Sequence, residues 1–230
     1  MRIAIRTLGE VMITAGVFLL FFLVWQLWWT DIEANAEAED ILNSTTATFS
    51  AGVSAEGDAG TSEAGGGEAG RDEDASSGLV ADYIVHLPTI GEVRPVVAGV
   101  ELSVLNSGVL GQYPDSESPG EVGNFTMAGH RTTYGRPLWN IAELAPGDPI
   151  IVETLEAYFV YRFDRTQIVT PFQTEVLADV PGDPEAQATE PWLVMTACHP
   201  KFSAAQRIVA FNSYDYEQSR EDGPPAEMGG

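Results

Sequence analysis

Trp192-Leu-Val-Met-Thr-Ala-Cys-His-Pro200, WLVMTACHP, is an apolar run of strand length that ends abruptly. Its interior reads as a buried strand, and Pro200 stops it because proline cannot donate to a central ladder. The run therefore fixes a strand end at Cys198. Outward from it, the same texture of short apolar runs broken by Gly, Pro and Asp recurs at Tyr83–Leu87, Val93–Ala98, Asn124–His130, Ile150–Leu155, Tyr158–Val169 and Arg207–Phe211. A further strand is predicted near Thr174–Leu177. Short helices fit at Glu101–Asn106 and at Pro137–Leu144, where Pro137 can occupy a first-turn position. Eight short strands with one or two helical turns predict an all-β domain closed into a barrel, since closure removes exposed edges. We place this domain at 79–217, followed by a disordered polar tail at 218–230.

The segments before it differ in composition. Val11–Trp29, VMITAGVFLLFFLVWQLWW, holds nineteen positions without a charge, enough to cross a bilayer as one helix. Arg2 and Arg6 precede it and Asp31, Glu33, Glu37, Glu39 and Asp40 follow, so residues 1–10 are expected in the cytoplasm and the β-domain outside. Trp25, Trp28 and Trp29 would mark the outer interface. A cleaved signal peptide is the alternative, but the apolar stretch exceeds a normal h-region and no small-x-small site closes it. Residues 30–78 are rich in Ala, Gly, Ser, Thr, Glu and Asp, with twelve acidic residues against Arg71 alone. Such composition predicts an extended, flexible linker, with which a short helix over Asp31–Leu42 is compatible.

Over the 230 residues, 11 Lys+Arg stand against 34 Asp+Glu, a formal charge of -23. That argues against a nucleic-acid backbone or an anionic membrane surface as ligand. Chemistry is more specific at the single cysteine. Cys198 has no partner for an intramolecular disulfide, so it is a small buried hydrophobe, an intermolecular bridge or a reactive thiol. A nucleophilic thiol needs a base and gains from a fixed cation. His130 ends another predicted strand in NFTMAGHRTTYG, where it could share a rim with Cys198. His86 lies inside the first strand and reads as a satisfied barrel residue. His199 adjoins the thiol in sequence but points to the opposite face of a strand. Arg207 opens the strand RIVAF, and a tight connection KFSAAQ would return it beside Cys198, either as a surface ion pair or as a holder of a carbonyl or oxyanion.

AGHRTTYG at Ala128–Gly135, VMTACHP at Val194–Pro200 and Arg207 nine residues after the cysteine together resemble the sortases, cysteine transpeptidases of Gram-positive cell surfaces. VMTAC is similar to their TLxTC strand, with Thr196 and Cys198 retained. The resemblance covers roughly 81–213 and implies the eight-stranded sortase barrel. It implies Cys198 as nucleophile, His130 as general acid/base, Arg207 as carbonyl or oxyanion partner, and Thr196 and Tyr113 near bound substrate. HRTTYG, CHP after the cysteine and GQYPDSESPGEVGN at Gly111–Asn124 look most like class E housekeeping members from high-GC actinobacteria, whose equivalent loop commonly reads GHYPGT, so Gln112 and Asp115 depart from it; Tyr113 reads equally as a packed loop anchor. The polar C-terminus differs from that of pilin-polymerising members.

By that resemblance the partners are secreted proteins carrying a C-terminal LAxTG- or LPxTG-like signal and a peptidoglycan-precursor amine, with the enzyme held in the membrane by its N-terminal helix. No metal or organic cofactor is implied. Two other classes stay open: a hydrolytic or L,D-transpeptidase-like cysteine enzyme, whose SHGC-like motif is absent, and a non-catalytic surface β-module.

Overall fold

The computed structural model describes residues 2–56 and 78–229. Helix α1 runs Arg2–Glu56. Eight strands follow: β1 Ala81–Leu87, β2 Glu92–Ala98, β3 Leu110–Gln112, β4 Gly123–Ala128, β5 Pro149–Glu153, β6 Ala157–Val169, β7 Pro191–His199 and β8 Gln206–Ser219, with the short helix α2, Leu102–Leu105, between β2 and β3. They close in the order β1-β2-β3-β4-β7-β8-β6-β5. The β2–β3 and β4–β7 pairs are parallel and the remaining pairs antiparallel.

Alternation along the strands builds two faces. Val85, Leu87, Phe125, Met127, Ile150, Val152, Leu193, Met195, Ala197, Ile208 and Ala210 fill the barrel. The Tyr161 side chain joins them, and its hydroxyl accepts the Gly120 N–H at 2.8 Å. Burial raises that phenol well above the ordinary tyrosine range. On the outer face the β6–β7 connection folds over Val194, Val209 and Phe211, burying Val169 and Val176 against them.

Three expectations need correction. Thr174–Leu177 is a 3₁₀ turn and not a strand. The Asn124 amide on β4 donates to the carbonyls of Val176 and Ala178, at 3.3 and 2.9 Å, so these groups find partners without a ladder. The eighth strand is instead β3, three residues beside Gly108 and too short to show a period in sequence. The tail is packed: Met228 lies against the cluster of Ile151, Tyr158 and Val160, and the Tyr216 hydroxyl donates to Glu227 at 2.9 Å.

Residues 30–56 continue α1 and do not form the expected flexible linker; the rest of that segment, 57–77, lies outside the described residues. Ala34, Ala38, Ile41, Thr45 and Phe49 form a buried stripe spaced four, three, four and four residues apart. Ala38 and Ile41 pack with Ala81, Val97, Val104 and Val109. Ala and Glu are good helix formers, and extending an existing helix avoids the nucleation cost. Small side chains then let the helix approach closely, and a Cβ added at Gly108 would meet the Ala34 carbonyl oxygen at 2.6 Å. Replacing Ile41 by Asp should release this contact. Amide exchange over residues 34–49 is expected to accelerate by about two orders of magnitude, corresponding to roughly 2–3 kcal/mol of lost local stability, with β7 and β8 still protected.

Candidate active site

β7 brings its outward residues Val194, Thr196 and Cys198 onto one line, because Leu193, Met195 and Ala197 are taken by the core. Cys198 is half-buried, one residue from the strand end, with a free thiol. Its register partner on β8 is Arg207. On the other flank β4 runs parallel to β7 with Ala128 opposite Thr196, and the Gly129 N–H donates to the Thr196 carbonyl at 3.1 Å, carrying the ladder one step further. The next outward position past β4 is His130. Adjacent strands lie about 4.8 Å apart, so the ends of β4, β7 and β8 set His130, Cys198 and Arg207 side by side along one rim.

The imidazole of His130 is held from two directions. Nε2 donates to Asn106 Oδ1 at 2.9 Å, and the ring stacks on Tyr134 with centroids 5.1 Å apart. In this arrangement Nδ1 is the unprotonated nitrogen. Burial holds the His130 pKa below the ordinary histidine value, so the neutral base dominates at pH 7. The Arg207 guanidinium donates to the carbonyls of Ala204 and Gln206, each at 3.0 Å, within its own hairpin. Among the described residues it has no carboxylate partner, which leaves its charge available to a developing anion.

The other two histidines are engaged elsewhere. His199 Nδ1 accepts from Arg131 Nη1 at 2.8 Å. His86 Nε2 lies 2.7 Å from Glu153, whose second oxygen pairs with Arg220 at 2.8 Å. Burial alone would raise the Glu153 carboxyl, but His86 and Arg220 together hold it below the usual carboxylate range. Asn106 and Arg131 were not singled out in the sequence. Arg131 is 5% exposed and also donates to the Cys198 carbonyl at 3.4 Å. Its position immediately after His130 was the available signal; Asn106, 24 residues from the histidine, offered none.

Tyr113 and Thr196 meet each other, with 3.2 Å between their hydroxyl oxygens. Thr196 is buried and also reaches the Met127 carbonyl at 3.5 Å. Tyr113 lines a cleft of about 520 Å³, with Pro114 and Thr126 on one wall and Thr174, Leu177 and Pro184 on the other. Thr126 lies on the outer face of β4, so the cleft opens on the face that carries the thiol. Among the described residues no group of three or more His, Cys, Asp or Glu side chains is arranged to hold a metal.

A sortase-domain family model matches residues 85–214. Sortase SrtE1 of Streptomyces coelicolor is 32% identical over 230 residues, covering 97% of this chain and 60% of that protein. This chain thus spans less than two thirds of that relative. SrtE2 of the same organism is 29% identical over 98% of this chain and 88% of its own length. Among solved structures, sortase E1 from Streptomyces coelicolor with a tripeptide in the active site aligns at a TM-score of 0.61 and 32% identity, over 64% of this chain and 96% of that one. The SrtA sortase from Actinomyces oris aligns at 0.59 and 32%, over 63% and 84%.

Proposed function

Because this chain belongs to the sortase family of cysteine transpeptidases, we propose that it cleaves a Thr-Gly bond in an LAxTG- or LPxTG-like sorting signal and joins the new acyl end to a cell-wall precursor amine. The observation that supports this reading is the side-by-side ending of β4, β7 and β8, with His130 following β4 and Arg207, which has no carboxylate partner among the described residues, opposite Cys198 on β8. A tripeptide occupies the active site of the Streptomyces coelicolor relative. A peptide of that kind fits a cleft walled by Tyr113, Pro114 and Leu177.

The chemistry is acyl transfer in two halves. Neutral His130 takes the thiol proton as Cys198 Sγ attacks the threonine carbonyl, and Arg207 swings from its hairpin carbonyls to the developing oxyanion. The tetrahedral species collapses, the imidazolium protonates the departing glycine amine, and a thioester on Cys198 remains. An incoming amine then gives its proton to His130 and displaces the thiolate, which takes that proton back from the imidazolium, restoring the Cys198 thiol and neutral His130. Asn106 and Tyr134 keep the imidazole oriented through both halves. Tyr113, its hydroxyl tied to Thr196, contributes to the substrate groove.

The apolar part of α1 serves as a membrane anchor, with the N-terminus cytoplasmic and the barrel outside. Its 18-residue window of highest hydropathy has a mean hydropathy of 2.2 and no buried residue. Mixing the enzyme with an LAxTG peptide and a peptide amine should yield the ligated product, detected by mass. Absence of both cleavage and ligation across LAxTG and LPxTG peptides would overturn this assignment.

A further inference from the structure

The docked half of α1 gives the barrel a direction relative to its anchor. Asp31 meets the rim at which β4 and β7 end: its Oδ1 accepts the Gly135 N–H at 3.3 Å and its Oδ2 pairs with Arg136 Nε at 3.1 Å. Eighteen residues later Phe49 lies beneath Arg220, beyond the end of β8 and so at the opposite rim. The helix therefore descends from the Cys198 rim to the far rim, and its apolar segment, ending at Trp29, projects outward from the Cys198 rim. Two steps of helix, about 3 Å of rise, lead from Trp29 to Asp31.

That rim carries the two most exposed large apolar side chains of the barrel domain, Phe172 at 91% and Phe202 at 80%. Phe172 follows the end of β6, and Phe202 caps the β7–β8 hairpin. From the helix a continuous set of contacts leads to the hairpin. Arg136 lies 5.3 Å from the Trp139 ring centroid, Lys201 Nζ lies 3.8 Å from it, and the Phe202 ring approaches its edge at 5.9 Å. Lys201 has no carboxylate partner among the described residues. The overall charge of -23 speaks against attraction to an anionic surface, but on this rim aromatic rings and cations stand together. Aromatic and cationic side chains are the groups that settle at a membrane–water interface.

We propose that Phe172, Lys201 and Phe202, backed by Trp139, rest in the lipid headgroup layer of the membrane that α1 crosses, so that the Cys198 rim faces the bilayer. The inference rests on the anchor reading given above. Its consequence is that the acyl-enzyme meets an amine carried on a lipid at the membrane surface, with no search on a long tether.

The test uses the full chain in phosphatidylcholine–phosphatidylglycerol nanodiscs, with Cys198→Ala and one fluorophore-labelled cysteine at a time. The positions are Phe172→Cys, Phe202→Cys, Leu155→Cys on the opposite rim, and Leu20→Cys within the apolar segment. Headgroup-attached quenchers are expected to quench positions 172 and 202 about threefold more than position 155. Deep acyl-chain quenchers should reach position 20. Equal shallow quenching at 172, 202 and 155, with position 20 quenched from the core, overturns the orientation alone. No deep quenching at position 20 overturns the anchor reading and this inference with it. Both phenylalanines are exposed, so their replacement leaves the core intact. A label at 202 that responds to sorting-signal peptide in detergent but not to lipid quenchers assigns the patch to peptide and overturns the inference.

Discussion

Replacing Cys198 by alanine is expected to reduce peptide cleavage and ligation by at least about 10⁴-fold, to the background of the assay, while the barrel keeps its thermal stability. That loss corresponds to roughly 5.5 kcal/mol of transition-state stabilisation. It follows from the division of labour proposed for the rim: His130 moves a proton and Arg207 holds an oxyanion, but only the thiol carries the acyl group between the two halves of the reaction. The structural cost should be small. Cys198 is half-buried near a strand end, and the core beneath it is held by Ala197 and Met195, so the melting midpoint should move by only about 1 kcal/mol equivalent or less. Cleavage surviving in the alanine variant would remove Cys198 from its assigned role.

The second large effect is expected at His130. A His130→Gln variant should lose about 10²–10⁴ in kcat/KM, the range a positioned acid–base group supplies. The pH profile separates loss of a base from loss of packing. Burial lowers the His130 pKa below its ordinary value, so the imidazole is neutral and able to accept the thiol proton above that depressed pKa. Wild-type activity should therefore fall on acidification only below about pH 6.5, the ordinary histidine value, and the glutamine variant should lose this acid limb. Stability moves with the same sign: protonation costs more in the folded state, so the folded protein loses stability as pH drops below the unfolded value and levels off below the folded one. Alkylation of Cys198 near neutral pH should slow in the same variant. An unchanged alkylation rate across pH would contradict the proximity of the two groups.

The parts of this molecule that were legible in sequence are those in which one side chain decides the local outcome. Pro200 ended β7, and the short apolar runs gave seven of the eight strands, six of them within a few residues; β8 continues eight residues past the expected end at Phe211. The motif order around His130, Cys198 and Arg207 was legible because each lies at or beside a strand end marked by glycine, proline or a tight hairpin. What escaped depended on the rest of the chain. Residues 30–56 looked unable to order themselves, and alone they bury little; their stripe of Ala34, Ala38, Ile41, Thr45 and Phe49 acquires a surface only once β1, β2 and α2 supply it. Thr174–Leu177 carried strand-like apolar residues, but the Asn124 amide on β4 claimed two of that connection's carbonyls. Asn106 holds His130 from 24 residues away, a contact that only the barrel's closure creates. Tyr113 read equally as a loop anchor or a groove residue; its hydroxyl meets Thr196 while its side chain lines the cleft.

Cys198 Sγ as the carrier of the acyl group can be caught by trapping the thioester. The full chain is incubated with an LAxTG peptide in the absence of any amine acceptor, quenched in acid, and its intact mass is measured before and after addition of hydroxylamine. A mass increase equal to the peptide's N-terminal fragment through threonine less one water is expected, localised to Cys198 and removed by hydroxylamine. Peptide turnover with no such adduct at any time during the reaction, or an adduct on another residue, would contradict it.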